Sequence, residues 1–222
     1  MKMDANKFHL FFFFLLISFC LLTGCGIFNN SSAKSTYYPH NDNYSWRYKQ
    51  IIVGPTNEVV TGYSTIYFSG VTTLPNGVVV QNQYSSNEST GNTFNVFFTA
   101  KKIMISSALC SYITANDSGV FSYGTATNPT TEGFLIISFP LSVGQKWEGR
   151  YGSCEVEVEE SIAVMGRVQK AMKIRIQGDI YLWYVENIGL VKTIIPDIPI
   201  VDSNGLNERK VDYVEELVEI NF

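Results

Sequence analysis

Histidine is nearly absent from this chain: two occur in 222 residues, His9 and His40. His9 falls in the apolar N-terminal run and His40 in a polar stretch before the first strand-like segment. A folded part without histidine has no Ser-His or Cys-His pair and no His-rich zinc set. Glycine is scattered rather than clustered. Gly62, Gly70 and Gly77 stand alone in strands and turns, so neither phosphate-binding loop pattern is present. Charge is sparse and slightly acidic, 16 basic against 20 acidic residues. No basic stripe exists, which excludes nucleic acid as an expected partner. Long Ala, Leu, Glu and Lys stretches are also missing. Catalytic carboxylates remain the one enzymatic option open, with Glu132, Glu148 and Asp179 as candidates. The expectation is a protein that is not an enzyme and has no cofactor.

Only one long apolar run exists, Phe8 to Leu22, behind a start carrying Lys2 and Lys7. Fifteen helical residues would cover roughly 22 Å, short of the ~30 Å hydrocarbon core. A charged start, a short apolar run and small residues after it read as a secretory signal, residues 1–24. The run ends in Leu22-Thr23-Gly24-Cys25, which resembles the lipobox of bacterial lipoproteins. The resemblance implies cleavage before Cys25 and lipidation of its thiol. Gly26, rather than Asp, follows the cysteine. That implies the outer membrane in a two-membrane cell and the outer face of the plasma membrane otherwise. Two or three acyl chains give lasting attachment. Residues 25–43, rich in Asn and Ser, read as a lipidated flexible tether to the membrane.

Loss of Lys2, Lys7 and Asp4 with the signal takes the formal net charge from −4 to −5. Of four cysteines, Cys20 leaves with the signal and Cys25 is the lipidation residue. Cys110 and Cys154 remain. An even pair in an exported domain predicts a disulfide, worth about 4 kcal/mol in the chain-entropy model. The alternative is two buried thiols.

From residue 44 to 222 the pattern is period two or β-branched, broken by Gly, Pro and Asn. The composition favours strands. The expected fold is all-β: a curved antiparallel sheet, β-sandwich or half-barrel, with little helix. Strands are expected over Ser45–Val53, Glu58–Phe68, Val78–Tyr84, Thr93–Ile105, Phe134–Phe139, Lys146–Tyr151, Cys154–Val164, Arg167–Gln177, Tyr181–Val185 and Leu190–Ile195. Leu74-Pro75-Asn76-Gly77 marks a turn. Lys210–Ile220 fits a strand or a helical face. Asn116–Gly133, rich in Gly, Ser, Thr and Asn, reads as a connection between halves 44–115 and 134–222. The openings Ser45-Trp46 and Lys146-Trp147 raise the option of a duplicated meander.

Within the clearest hairpin, a turn centred on Gly166 sets Glu159 opposite Lys173 and Glu157 opposite Arg175. Glu155, Glu157 and Glu159 project from one strand ~7 Å apart, unlike the converging oxygens of a calcium loop. No metal is expected there.

Pro140-Leu141-Ser142-Val143-Gly144-Gln145-Lys146-Trp147 and the run from Tyr181 to Lys192, ending Gly189-Leu190-Val191-Lys192, are similar to recurring pieces of exported bacterial β-proteins, many of them lipoproteins of unknown function. The resemblance covers residues 134–196. It implies a curved antiparallel sheet and carries over no catalytic residue. Two functional classes follow. One is an envelope interaction or structural module that binds a protein or surface polymer. The other is a carrier or sensor holding an apolar ligand against the concave sheet.

Overall fold

The computed structural model describes residues 36–55, 58–89, 110–201 and 208–222. All belong to one compact unit, Ala33–Phe222. The signal, Cys25 and the Thr93–Ile105 segment lie outside the described residues. Those described contain no helix and form twelve strands.

In chain order these are β1 (Ser45–Val53), β2 (Glu58–Thr73), β3 (Val79–Ser89), β4 (Cys110–Asn116), β5 (Gly119–Thr125) and β6 (Asn128–Ser138). Then come β7 (Lys146–Gly149), β8 (Gly152–Val164), β9 (Arg167–Ile176), β10 (Ile180–Val185), β11 (Gly189–Val201) and β12 (Glu208–Asn221). Each strand pairs with its neighbours in sequence except across β6 and β7, and β1 pairs with β12, all antiparallel. The result is an up-and-down sheet nearly closed into a barrel. Its one unladdered seam lies between β6 and β7.

Alternation in the sequence explains the wall. In β1, Trp46, Tyr48, Gln50 and Ile52 are buried, while Arg47 and Lys49 face out to Glu88 and Glu216. β12 repeats the logic with Val211, Tyr213 and Leu217 inward. Lys210–Ile220 is therefore strand: Val211, Tyr213 and Leu217 face inward by period two, while Val218, on the helical face with Val211 and Val214, is exposed. The interior is one apolar cluster fed by both runs of six strands, including Phe68, Ile113, Val120, Ile137, Ile174 and Tyr184. β8 also touches β12 across the interior. Aromatic and β-branched side chains thus meet through the middle of the barrel.

Three expectations need correction. Asn116–Gly133 is not a connection: it contains β5 and most of β6. Its small residues tolerate close approach, since a Cβ on Gly119 would overlap the Ile137 carbonyl. Val120 and Ser122 point inward and are fully buried.

The β8–β9 hairpin turns on two residues, Met165 and Gly166, with φ of 48° and 76°, the positive pair of a type I′ turn. Val164 accordingly faces Arg167, and a bulge after Val156 moves Glu159 opposite Met172. Lys173 instead reaches Glu157 at 3.1 Å, and Lys170 reaches Glu159 at 3.0 Å. Beyond the bulge Val158 points outward, 39% exposed.

The tether reading of residues 25–43 fails from Thr36 onward. Thr36 O accepts from the Asn187 amide in the β10–β11 turn. Tyr37 and Tyr38 pack on the core cluster. Tyr38 meets Phe68 edge-on at 6.1 Å, and Gln83 Nε2 donates to its phenol oxygen at 3.0 Å. Asp42 Oδ1 accepts from Gly70 N at 3.0 Å, and Asn43 N donates to Phe68 O at 3.0 Å. Residues 36–43 are a strap across the barrel end that carries the first turn of β1. Two tyrosines within an Asn/Ser-rich stretch supply the packing.

Candidate functional site

Antiparallel alternation sorts the loops into two ends. The turns after β2, β4, β6, β8 and β10 share the strap end with the C-terminus. The turns after β7 and β9 lie at the other end, where a cleft opens. Its volume is about 660 Å³.

The cleft lies over the four-residue β7, the start of β8 and the end of β9 with its following turn. Trp147, half-buried on β7, donates its indole N–H to Ile136 O on β6 at 3.3 Å. Arg150 N donates to Leu135 O at 2.8 Å, and its guanidinium reaches Ser122 Oγ at 2.6 Å. These contacts hold the seam where no ladder does.

Charged side chains dominate the rim. Glu155 lies between Lys146 at 3.3 Å and Arg175 at 3.1 Å, and Arg175 also reaches Glu157 at 2.9 Å. Hydrogen bonds from Arg175 and then Lys146 hold the Glu155 carboxyl below its ordinary range. Glu148 and Asp179 line the same cleft. Glu132 does not; it sits exposed on β6. The cleft therefore presents alternating acids and bases beside one indole. That arrangement can hold a polar or zwitterionic partner surface by paired charges and stacking.

Cys154 forms part of the cleft floor. Its thiol lies 3.4 Å from Gly152 O, and burial pushes its pKa up to about 11. A thiol held neutral in this way is a poor nucleophile. The expected Cys110–Cys154 disulfide is not formed: both are free thiols. Cys110 opens β4 opposite Tyr84 on β3, whereas Cys154 on β8 faces Ile176 and Trp147. Three strands, β5, β6 and β7, separate the two around the wall. At ~4.8 Å per strand that separation far exceeds the ~4.4–6.8 Å Cα spacing of a disulfide.

A second polar constellation lies inside the barrel. Glu215 shares the inward parity of Tyr213 and Leu217. Its Oε1 accepts from Tyr213 Oη at 2.9 Å, Ser64 Oγ at 3.1 Å and Gln50 Nε2 at 3.2 Å. Burial, then the Glu215 charge, raises the Tyr213 phenol far above its usual pKa, so Tyr213 stays protonated as a donor. The sequence signal for this cluster is parity alone, a carboxylate in the apolar register of β12. It is visible once that segment is read as a strand.

The aromatic residues of the resemblance separate. Trp183 is 6% exposed on the outer wall, with Lys173 and Lys192 over its ring at 5.6 and 5.9 Å. Its indole N–H donates to Glu160 at 2.5 Å. Trp147 lines the cleft. His40 belongs to the strap, with Nδ1 2.8 Å from Tyr38 O. Among the described residues no group of three or more His, Cys, Asp and Glu side chains is placed to hold a metal.

No protein-family model matches the chain, and no curated protein matches it. Among the solved structures similar to it are two from bacteria. One is a presumed exported protein with a YmcC-like fold from Bacteroides fragilis, at 11% identity and TM-score 0.44, covering 84% of this chain and 99% of that one. The other is a presumed lipoprotein from Parabacteroides distasonis, at 14% identity and TM-score 0.39, covering 83% of this chain and 98% of that one.

Proposed function

We propose that this chain is a cell-envelope lipoprotein, anchored through Cys25, that acts as a non-enzymatic interaction module. Its partner is an envelope protein or surface polymer bound at the β7–β9 cleft. The observation that carries the reading is where space and charge occur. The apolar side chains of both halves fill the barrel with one cluster, whereas the open cleft is rimmed by Lys146, Glu148, Glu155, Arg175 and Asp179. A carrier of an apolar ligand calls for the reverse, an apolar cavity of several hundred Å³. The buried neutral Cys154 thiol and the ion-paired Glu155 also favour recognition over covalent or acid–base chemistry.

Native mass spectrometry of the mature protein tests the choice. The expected spectrum shows the chain plus its covalent lipid alone. A copurifying, non-covalent lipid of fixed mass would support the carrier instead. Replacing Arg175 and Lys146 with Gln should then weaken binding to isolated envelope fractions while leaving the fold intact.

A further inference from the structure

At the strap end the β8–β9 hairpin projects past the strands that flank it. β10 pairs with β9 only from Ile176 to Ala171, and β7 pairs with β8 only from Gly152 to Glu155. The last four rungs of the β8–β9 hairpin, Ser161↔Lys170 to Val164↔Arg167, therefore have no further strand beside them among the described residues. Four rungs at ~3.4 Å make a two-stranded finger about 13 Å long.

The finger has two unlike faces. Val164 is buried in the core cluster and Ile162 packs against it. The other face and the tip are wet: Val168 is 76% exposed and Met165 41%, with Ala163, Arg167 and Lys170 exposed beside them. The tip also places a methionine in the left-handed backbone region, φ 48°, where Asn, Asp or Gly is the usual occupant of a type I′ turn. An exposed apolar tip flanked by Arg and Lys is the chemistry of a segment that dips into a headgroup layer.

The length of chain outside the described residues decides what that tip meets. Ten residues separate Cys25 from Thr36, which is held at the strap end by Asn187. The covalent chain between the two spans at most ~40 Å, at no more than ~3.6 Å per residue. The point at which the chain from Cys25 enters the fold is thus the strap end, from which the finger extends.

We propose that the tip of the β8–β9 finger, Met165 and Val168 with Arg167 and Lys170, docks on the lipid surface to which Cys25 ties the chain. The barrel then stands with the β7–β9 cleft facing away from the membrane. The inference rests on the lipid-anchor reading of Cys25.

The test uses the lipidated mature protein in vesicles of mixed zwitterionic and anionic lipid carrying brominated acyl chains. Val168→Trp places a reporter on the finger, and Ala126→Trp places one in the β5–β6 turn at the opposite end. Bromine should reduce the added emission of V168W and leave that of A126W unchanged. Equal emission loss in both, or none in V168W, overturns the docking if the protein floats with the vesicles. A chain that neither floats nor incorporates a fatty-acid label overturns the anchor reading instead. Vesicle-independent dimerisation of the unlipidated domain that Val168→Asp abolishes would reassign the finger to contact between copies. An M165D/V168D variant with an unchanged unfolding midpoint should lose protection of the 161–170 amides on vesicles.

Discussion

Gln83 Nε2 donates to the phenol oxygen of Tyr38 at 3.0 Å, across 45 residues of sequence. This bond joins the strap to the wall of β3, and with Tyr48 and Tyr184 nearby the Tyr38 phenol is held well above its ordinary pKa by burial. The segment before β1 is thereby part of the folded core.

A soluble domain starting at residue 44 should accordingly be less stable than one starting at residue 26. Tyr38→Ala alone should cost about 3 kcal/mol, on the scale of aromatic truncation in a core. Tyr38→Phe, which strands the Gln83 amide, should cost about 1 kcal/mol. Urea unfolding measures both. Equal midpoints for the two domains would show that the strap is a mere linker.

Thiol counting on the denatured, unreduced domain should find two free thiols per chain, from Cys110 and Cys154. In the native state Cys110, half-buried, should react with a small disulfide reagent faster than buried Cys154. The raised Cys154 pKa, about 11, keeps its thiolate fraction low at neutral pH and adds to the difference. No free thiol would mean that the chain rearranges to bring β4 and β8 together.

Glu215→Leu removes the shared acceptor of Tyr213, Ser64 and Gln50 and leaves buried donors without it. The expected loss is about 1–3 kcal/mol. Glu215→Gln keeps an acceptor oxygen and should cost less. If Leu proves the more stable of the two, the cluster is an electrostatic burden rather than a support.

The Glu155 carboxyl titrates below the ordinary glutamate range because Arg175 and Lys146 bond it. Its folded pKa is depressed, so its contribution is present above the unfolded value and is lost as pH falls through the folded one. Carbon-detected NMR should place its midpoint below that of an unstructured glutamate, and Arg175→Gln should move it back up. An unchanged midpoint in R175Q would mean that Arg175 does not hold the carboxylate.

Much of the fold could be read from alternation. Ser45–Val53 and Arg167–Ile176 largely follow period two because one face is buried and the other wetter. What alternation cannot encode is a bulge. The extra residue after Val156 reverses the facing of Val158 and alters the Glu–Lys pairing, although the residues themselves still meet as ion pairs. β5 escaped notice because its inward positions include Ser122 and its turns use Gly119 and Gly124, residues that spell loop by composition. The cleft was less legible than the walls. Trp147 carried a signal, yet its partners Arg175 and Asp179 come near it only through pairing between distant rungs.

The strap enters β1, and β1 is bonded along its full length to β2 on one side and β12 on the other. Any pull from residues before Thr36 loads those two ladders lengthwise, so many hydrogen bonds resist together instead of parting one at a time. The seam at β6 and β7 lies on the far side of the wall from that load. Such a pull would be spent in shear against a strand bonded on both sides, leaving the weakly closed seam unstrained.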